Sequence, residues 1–435
     1  DHAHAGVYAL ALGMIGPAAR EAVADLTILL ADDALRPQVA VALVRIDPEQ
    51  AKKVVPALVE DLKASDDNRR KGALLALGNL GDAAKPAIPA LGNCLQDKLL
   101  AEEALKALAE IGPAAIPTLA GLLQDPRPEF RRSAVFLLIP FGPKAREALT
   151  PLMRALQDTD TKVASGAAHV MAEIGPEARD AIPYLIDNLM AHHSEVRAEA
   201  AWALGHIGAS AKEARLPLRE CLMDPDEHVR YAAALALGRI DPQFIEAVPA
   251  LRDALHDASL EVRLAAIDSL TRIDPTRIKE VVPILLDVSN GPYYVGTRFK
   301  AVEGLLELAP KEARGAMPRL VAEMNGGYLQ RSLNVDLQRA VPLLVVELNS
   351  AVLLVRIDPE QTRTAVLALA GGLRDRDPRV RGMIVQTLGN LGPKAREAVP
   401  SLLRLLQDDM LAVRKEAAKA LRLIDPQKAK RLGLG

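Results

Sequence analysis

The stretch from Asp224 to Asp241 reads DPDEHVRYAAALALGRID, and its pattern decides the fold. An Asp-rich turn opens the stretch, and an acidic side chain there can cap the helix that follows. Behind the turn, apolar residues such as Val229, Ala233 and Leu237 recur every four residues, which is the spacing of one face of an α-helix. The Asp-Pro pair after Ile240 ends this helix, because proline restricts the residue before it and cannot continue a helix.

The same ending recurs along the whole chain at intervals of about 33 residues. It consists of an apolar residue, here called the stop residue, then Gly or Asp and usually Pro, with Gly expected to supply a left-handed cap. A first helix with Pro in its opening turn precedes each Asp-rich turn, as in residues 397–406. The endings lie at residues 15–17, 46–48, 80–82, 111–113, 141–143, 174–176, 207–209, 240–242, 273–275, 308–310, 357–359, 391–393 and 424–426.

Each period is therefore predicted to be a helix-turn-helix hairpin. A single hairpin of this size cannot bury its apolar face, so successive hairpins must stack on one another. We predict an all-α fold, a right-handed α-solenoid (a superhelix) of about twelve repeats that forms one array over residues 1–435.

The pattern Asp-x-x-x-x-Val-Arg-x-x-Ala-x-x-Ala-Leu-Gly-x-Ile-Gly, which residues 224–241 follow most closely, resembles the short HEAT-like repeats of bacterial proteins, a type that phycobilin lyases also contain. The resemblance covers essentially the whole chain and implies the solenoid fold. For function it implies only a range of roles, since such repeats serve scaffolds, adaptors, lyases and a few metalloenzymes.

Three places depart from the regular repeat. The chain opens inside a second helix, over residues 1–17, which suggests a piece of a longer protein. The interval from Leu308 to Ile357 is 49 residues, so the irregular repeat 309–357 is expected to contain an elongated or additional helix. The last repeat ends near residue 426.

Composition excludes several classes of function. Lys and Arg number 54 against 56 Asp and Glu, a net charge of −2, which argues against a nucleic-acid partner and an anionic membrane surface. No apolar run is long enough to span a bilayer. Cys94 and Cys221 do not form a disulfide framework; we interpret both as small packing residues, compatible with a reducing cytoplasm without requiring one.

The residue ten before the stop residue is usually Arg, and an Asp commonly precedes it in the turn. Two interpretations are open: an anion-binding stripe, or a ladder in which each Arg bonds turn carboxylates of its own or the next repeat. The recurrence of this Arg with the fold favours the ladder. The column contains Arg70, Arg131, Arg197, Arg230, Arg263, Arg298, Arg381 and Arg414.

The residue five before the stop residue varies from Lys and Asp to Trp, which predicts that this column faces solvent in all repeats. In four consecutive repeats it contains Phe136, His169, Trp202 and Leu235, here called the aromatic stripe. Only 3% of the chain is aromatic, so this grouping predicts a binding surface for a partner. The flanking columns add Tyr231, Leu264 and Phe299 on one side and His206, Arg239 and Arg272 on the other.

Two alternatives to this surface stay open. Curvature of the stack could instead close the stripe against neighbouring helices as ordinary core. A second candidate surface lies at the edge formed by the turns around residues 289–296 and 325–328, which contain Tyr293, Tyr294 and Tyr328; the long aromatic turns either bind a partner or accommodate the irregular helix.

No catalytic motif is found: the sequence has no His-Glu-x-x-His, no phosphate-binding Gly loop and no Gly-x-Ser-x-Gly. Residues 192–195 (His-His-Ser-Glu) are interpreted as an ordinary turn. We predict a non-enzymatic scaffold without cofactor or metal that binds a protein or peptide along its concave face. The alternatives are a lyase or chaperone-like subunit for a tetrapyrrole, implied by the resemblance, and a DNA-binding HEAT-like protein. Self-association is left open.

Overall fold

The computed structural model describes residues 2–293, 295–324 and 337–434, and within these residues every regular element is a helix. The fold is an all-α solenoid, as predicted. It divides into two compact units, Asp1–Asp274 and Pro275–Gly435. None of the described helices combines the length and apolar character needed to cross a bilayer.

The helix that ends at or shortly before each stop residue is the second helix of its repeat, and these helices have odd numbers. In the first unit they are α1 (His2–Ile15), α3 (Arg36–Ile46), α5 (Asp67–Asn79), α7 (Ala101–Ile111), α9 (Pro128–Leu138), α11 (Thr161–Ile174), α13 (Ser194–Ile207), α15 (Glu227–Ile240) and α17 (Leu260–Ile273). In the second unit they are α19 (Val295–Leu308), α21 (Leu337–Ile357), α23 (Pro378–Leu391) and α25 (Leu411–Ile424).

The first helices of the repeats have even numbers and are mostly shorter. In the first unit they are α2 (Val23–Leu29), α4 (Ala51–Asp61), α6 (Ile88–Cys94), α8 (Ile116–Leu122), α10 (Leu149–Ala155), α12 (Ile182–Asn188), α14 (Arg215–Cys221) and α16 (Val248–Ala254). In the second unit they are α18 (Ile278–Asn290), α20 (Met317–Met324), α22 (Thr362–Gly372), α24 (Val399–Leu405) and the final α26 (Pro426–Arg431).

The Gly and Asp endings use different backbone conformations. Gly175 has φ 72° and ψ −139°, a region open essentially to glycine alone. The positive φ angle agrees with the predicted left-handed cap, but the ψ angle does not. The prediction of that cap is therefore wrong, because the chain leaves α11 in an extended conformation. Asp241 has φ −151° and ψ 94°, and its side chain instead accepts a hydrogen bond from the backbone N–H of Gln243 at 3.2 Å.

The arginine column forms the predicted ladder. Arg230 donates from Nε and Nη2 to both carboxylate oxygens of Asp257 in the next turn, at 2.7 and 2.9 Å. Its Nη1 donates to the carbonyls of Asp224 and Pro225 in its own turn, at 2.8 and 3.1 Å. One guanidinium thus joins two successive turns. The same arrangement recurs for Arg131 with Asp158, Arg197 with Asp224 and Arg381 with Asp408.

Successive second helices approach closely where small residues face each other. A Cβ on Gly238 of α15 would lie 2.8 Å from the Cα of Ser269 on α17, and a Cβ on Gly205 of α13 would lie 3.0 Å from the Cα of Ala236. Ser269 is fully buried, and its Oγ donates to the carbonyl of Ala234 at 2.6 Å. The glycine two residues before the stop residue therefore sets how near two repeats come.

Successive second helices pack closely on one another from α11 to α17, more closely than the first helices of the same repeats do. The stripe column lies on these second helices. The face of this part of the chain that carries the stripe is therefore built from second-helix side chains.

In the second unit, the irregular repeat departs from the ladder. Helix α21 has 21 residues where regular second helices such as α17 have 14. At the arginine column it contains Glu347, which is 2% exposed. Nearby, Arg298 of α19 pairs with Glu323 of α20, and the Ser350 Oγ donates to the same carboxylate at 3.3 Å.

Replacing Gly238 with Ala should destabilise the first unit by about 1–3 kcal/mol, because the new methyl group would overlap the backbone of Ser269. Helix propensity alone predicts the opposite sign, a gain of up to about 1 kcal/mol. The matched control is Gly121→Ala in α8, where a Cβ would meet no atom within 4 Å. The urea midpoint should fall for the first variant and hold or rise for the second. Equal shifts would mean that the close approach has no energetic role.

A double-mutant cycle on Arg230→Met and Asp257→Asn should give a coupling energy of about 1–3 kcal/mol. The bidentate bond from Arg230 lowers the pKa of the Asp257 carboxyl below its usual range. A lowered pKa in the folded state means that the stabilisation is complete above about pH 4 and is lost as the pH falls through the lowered value. Urea unfolding at pH 7 and pH 3 should show the coupling shrinking at the acidic pH; a coupling near zero at pH 7 would contradict the ladder.

Candidate functional site

The column five residues before the stop residue faces away from the core in nearly all repeats. Phe136 is 71% exposed and Leu75 is 64% exposed, while His169, Trp202 and Leu235 are half-buried. The aromatic stripe is therefore not closed off as core. The prediction that the column faces solvent in every repeat is wrong at Val41.

Val41 is only 4% exposed. It lies on α3, which packs closely against α1.

A cleft of about 410 Å³ opens at the first half of the stripe, between α9, α11 and α13. Phe136, Val135 and Ile139 form its apolar wall, and Gly166 of α11 lies at its floor. A Cβ on Gly166 would come 2.7 Å from the Cγ2 of Val135, so the glycine permits the close contact between α9 and α11. His169 lines the same cleft. The cleft is mostly apolar, like the sites that bind side chains of partners.

Charged side chains surround this apolar wall. The Nζ of Lys162 donates to both carboxylate oxygens of Glu195 at 2.9 Å. His169 Nδ1 lies 3.0 Å from Glu199 Oε2. Arg132 Nε donates to both carboxylate oxygens of the Asp160 side chain at 3.0 Å. The cleft thus combines an exposed phenylalanine with a rim of positively and negatively charged side chains.

Trp202 forms a stack with two residues of the flanking column. Its ring centroid lies 4.6 Å from that of His206, and the guanidinium carbon of Arg239 lies 5.3 Å from it. Burial lowers the pKa of His206 below 6.5, and the positive charge of Arg239 lowers it further. Both effects favour the neutral imidazole of His206 beside the tryptophan. Arg239 is exposed, so the stack presents a cation to solvent.

The remaining predicted residues lie on α15, α17 and α19 and join neither the cleft nor the stack. Tyr231 and Leu264 are half-buried on α15 and α17, and Arg272 is exposed and donates to Asp268 at 3.0 Å. Phe299 is half-buried on α19, which belongs to the second unit. The structure therefore groups Phe136 with His169, and Trp202 with His206 and Arg239.

Sequence reasoning missed most of the residues that line the cleft. Only His169 and Phe136 were predicted, whereas the lining also contains Arg132, Val135, Ile139, Lys162, Ser165, Gly166, Glu195 and Glu199. Several lie three, four or seven residues before the stripe position on their own helix, so a wider helical face around the stripe was the signal that could have found them.

The chain matches family models over most of its length. The model described as HEAT repeats matches residues 116–205, 149–222, 185–271, 217–306 and 358–432, and the model described as PBS lyase HEAT-like repeat matches residues 70–97. The first of these covers more than half of the chain. The chain belongs to the HEAT-repeat family. The resemblance to HEAT-like repeats is thereby confirmed.

Solved structures with the same type of fold include Kap95 in complex with Nup1, with a TM-score of 0.57 and 16% identity over 96% of this HEAT-repeat chain and 68% of that chain. Kap95p bound to RanGDP gives a TM-score of 0.50 and 15% identity, covering 94% of this chain and 66% of that chain. An engineered protein gives a TM-score of 0.38 and 22% identity, covering 92% of this chain and 98% of that chain. No curated protein matches the chain.

The second candidate edge of this HEAT-repeat chain lies largely outside the described residues, since both Tyr294 and Tyr328 do. Tyr293 is half-buried, and its carbonyl accepts a hydrogen bond from Arg298. That bond belongs to the arginine column of the repeat. The edge remains a prediction.

Neither cysteine is activated as a nucleophile. Burial raises the pKa of the Cys221 thiol to about 11 and also raises that of Cys94, and a thiol rather than a thiolate is a poor nucleophile. Both side chains are buried in first helices. Within the described residues, no three His, Cys, Asp or Glu side chains are grouped as metal ligands.

The fluorescence of Trp202, the only tryptophan, should report the protonation of His206. We expect an emission transition with a midpoint below pH 6.5, because burial and Arg239 both disfavour the imidazolium. Arg239→Gln should move the midpoint upward, and His206→Gln should abolish the transition. Because the folded state takes up this proton less readily than the unfolded state, stability should also fall as the pH drops through this range. A midpoint above 6.5 would contradict the geometry of the stack.

Proposed function

We propose that this HEAT-repeat chain is a non-enzymatic scaffold that binds a partner polypeptide along the second-helix face of its first unit. The observation that carries the proposal is the exposure of Phe136, at 71%, beside a cleft of about 410 Å³. Exposed aromatic side chains that flank an apolar cleft are typical of protein-binding sites.

The mechanism would be a preformed surface. Because the stripe lies on helices fixed by the arginine ladder, the partner meets a surface that needs little ordering, and a low ordering cost favours affinity. Phe136 would insert beside a partner side chain at the cleft, and the Trp202 stack would form a second contact two repeats away. An extended peptide or a helix can fit such a surface.

The similar Kap95 structures support the proposal at the level of fold. Those solenoids are in complexes with Nup1 and RanGDP, which are polypeptide partners of Kap95. The match to PBS lyase HEAT-like repeats, at residues 70–97, includes no residue of the aromatic stripe. Protein binding is therefore our proposal ahead of chromophore handling, and the near-equal numbers of acidic and basic residues support it ahead of DNA binding.

A photoreactive phenylalanine analogue at position 136 should form a covalent adduct with the partner polypeptide in lysate of the source cells. The control places the analogue at Leu216, which is 53% exposed on the first helix α14. We expect a discrete adduct from position 136 alone, identified by mass spectrometry, because only the second-helix face contacts the partner. Adducts from position 216 alone, or the same adducts from both positions, would overturn the proposed face.

A Phe136→Ala/Trp202→Ala variant should reduce capture of that partner by tenfold or more, as expected when two anchor residues are truncated. Leu75→Ala is the matched control, since Leu75 is 64% exposed in the same column but outside the stripe. Circular dichroism on all variants would show that each is folded. Equal loss in the control and the stripe variant would remove the special role of the stripe.

A further inference from the structure

The cleft between α9, α11 and α13 is lined by two permanent cations, Arg132 and Lys162, and two carboxylates, Glu195 and Glu199, and Asp160 beside Arg132 adds a third carboxylate. Lys162 is bound to Glu195, whose Oε1 also accepts from the Ser165 Oγ at 3.2 Å. Arg132 is bound to Asp160. Each of these cations therefore already has its own carboxylate.

Glu199 is the carboxylate in excess. Its polar contact in the described residues is with His169 Nδ1, at 3.0 Å. A histidine ring can donate one hydrogen bond there but does not bring the permanent charge of lysine or arginine. The Glu199 side chain is about one third exposed, at 32%, so a cation from another molecule can reach it.

The excess carboxylate lies at an apolar site. Phe136, Val135 and Ile139 line the cleft together with Glu199, and the cleft has a volume of about 410 Å³. An apolar group can enter this space while a cation on the same molecule pairs with Glu199. Charge complementarity of this kind selects a partner and excludes the opposite charge, so an acidic segment is disfavoured.

We infer that the cleft binds an extended segment of the partner in which an apolar side chain and an arginine or lysine are two residues apart. The spacing follows from strand geometry, because side chains on the same side of an extended chain alternate with a period of two. The apolar side chain lies against Phe136, and the cation pairs with Glu199. Arginine suits this position because its planar guanidinium can bind a carboxylate through two hydrogen bonds. This inference rests on the proposed function.

The test uses three fluorescently labelled nine-residue peptides built on Gly and Ser that contain Leu-Gly-Arg, Leu-Gly-Gln or Leu-Gly-Glu at their centre. Binding to the full chain is measured by fluorescence anisotropy at low and moderate salt. The Arg peptide should bind about tenfold more tightly than the Gln peptide and the Glu peptide more weakly still. The preference should shrink as salt is added, because a partly exposed ion pair is screened.

Protein variants identify the residues responsible. Glu199→Gln should abolish the preference for the Arg peptide over the Gln peptide without weakening the binding of the Gln peptide. Glu110→Gln, an exposed carboxylate on the second helix α7, is the matched control and should keep the preference. Phe136→Ala should weaken the binding of the Arg peptide and of the Gln peptide by the same factor, because it removes the apolar contact that they share.

The outcomes separate this inference from the proposed function. If an adduct forms at position 136 but the peptides show no preference, or prefer Glu, the scaffold proposal stands and the Arg-selective cleft is wrong. If Glu199→Gln leaves the preference intact, the assignment to Glu199 is wrong. If the peptides do not bind and no adduct forms, both proposals are wrong.

Discussion

The arginine that joins two successive turns is the interaction on which the rest of the repeat geometry depends. Arg230 holds the carbonyls of its own turn with Nη1 and the carboxylate of Asp257 in the next turn with Nε and Nη2. A planar guanidinium has this fixed fork of donors, which a lysine lacks. Each such residue fixes the position of one repeat relative to the next at the turn edge.

The arginines fix the turns, and small residues set the distance between successive second helices. Gly238 against Ser269 and Gly205 against Ala236 bring second helices close, while first helices stay apart. Second-helix side chains that point away from the first helices therefore form one continuous face in this part of the chain. The proposed binding face follows from two contacts: the polar arginine bridge between successive turns, and the close approach of successive second helices at small residues.

The cleft marks where this regular packing changes. At Gly166, the absent side chain lets Val135 pack against α11, and the cleft opens beside this contact between Phe136 and His169. Two repeats after Phe136, the Trp202 ring packs against the His206 ring, and the Arg239 guanidinium lies over the face of the tryptophan. One array therefore offers an open apolar cleft and a half-buried aromatic cluster with an exposed cation beside it. The two differ in the side chains at and around the stripe column.

The sequence by itself determined the repeat, the helix endings and the arginine ladder, because these depend on periodicity and hydrogen bonding within about 33 residues or between equivalent turns. It also identified Phe136 as exposed, whereas His169 and Trp202 in the same column are half-buried. Only the tertiary structure decided that Val41 is covered, that glycine leaves α11 with an extended ψ, and that Glu195 and Glu199 face Phe136 across α11. Those features depend on the rotation and distance between neighbouring helices. Packing of the whole stack sets both, and no single repeat encodes them.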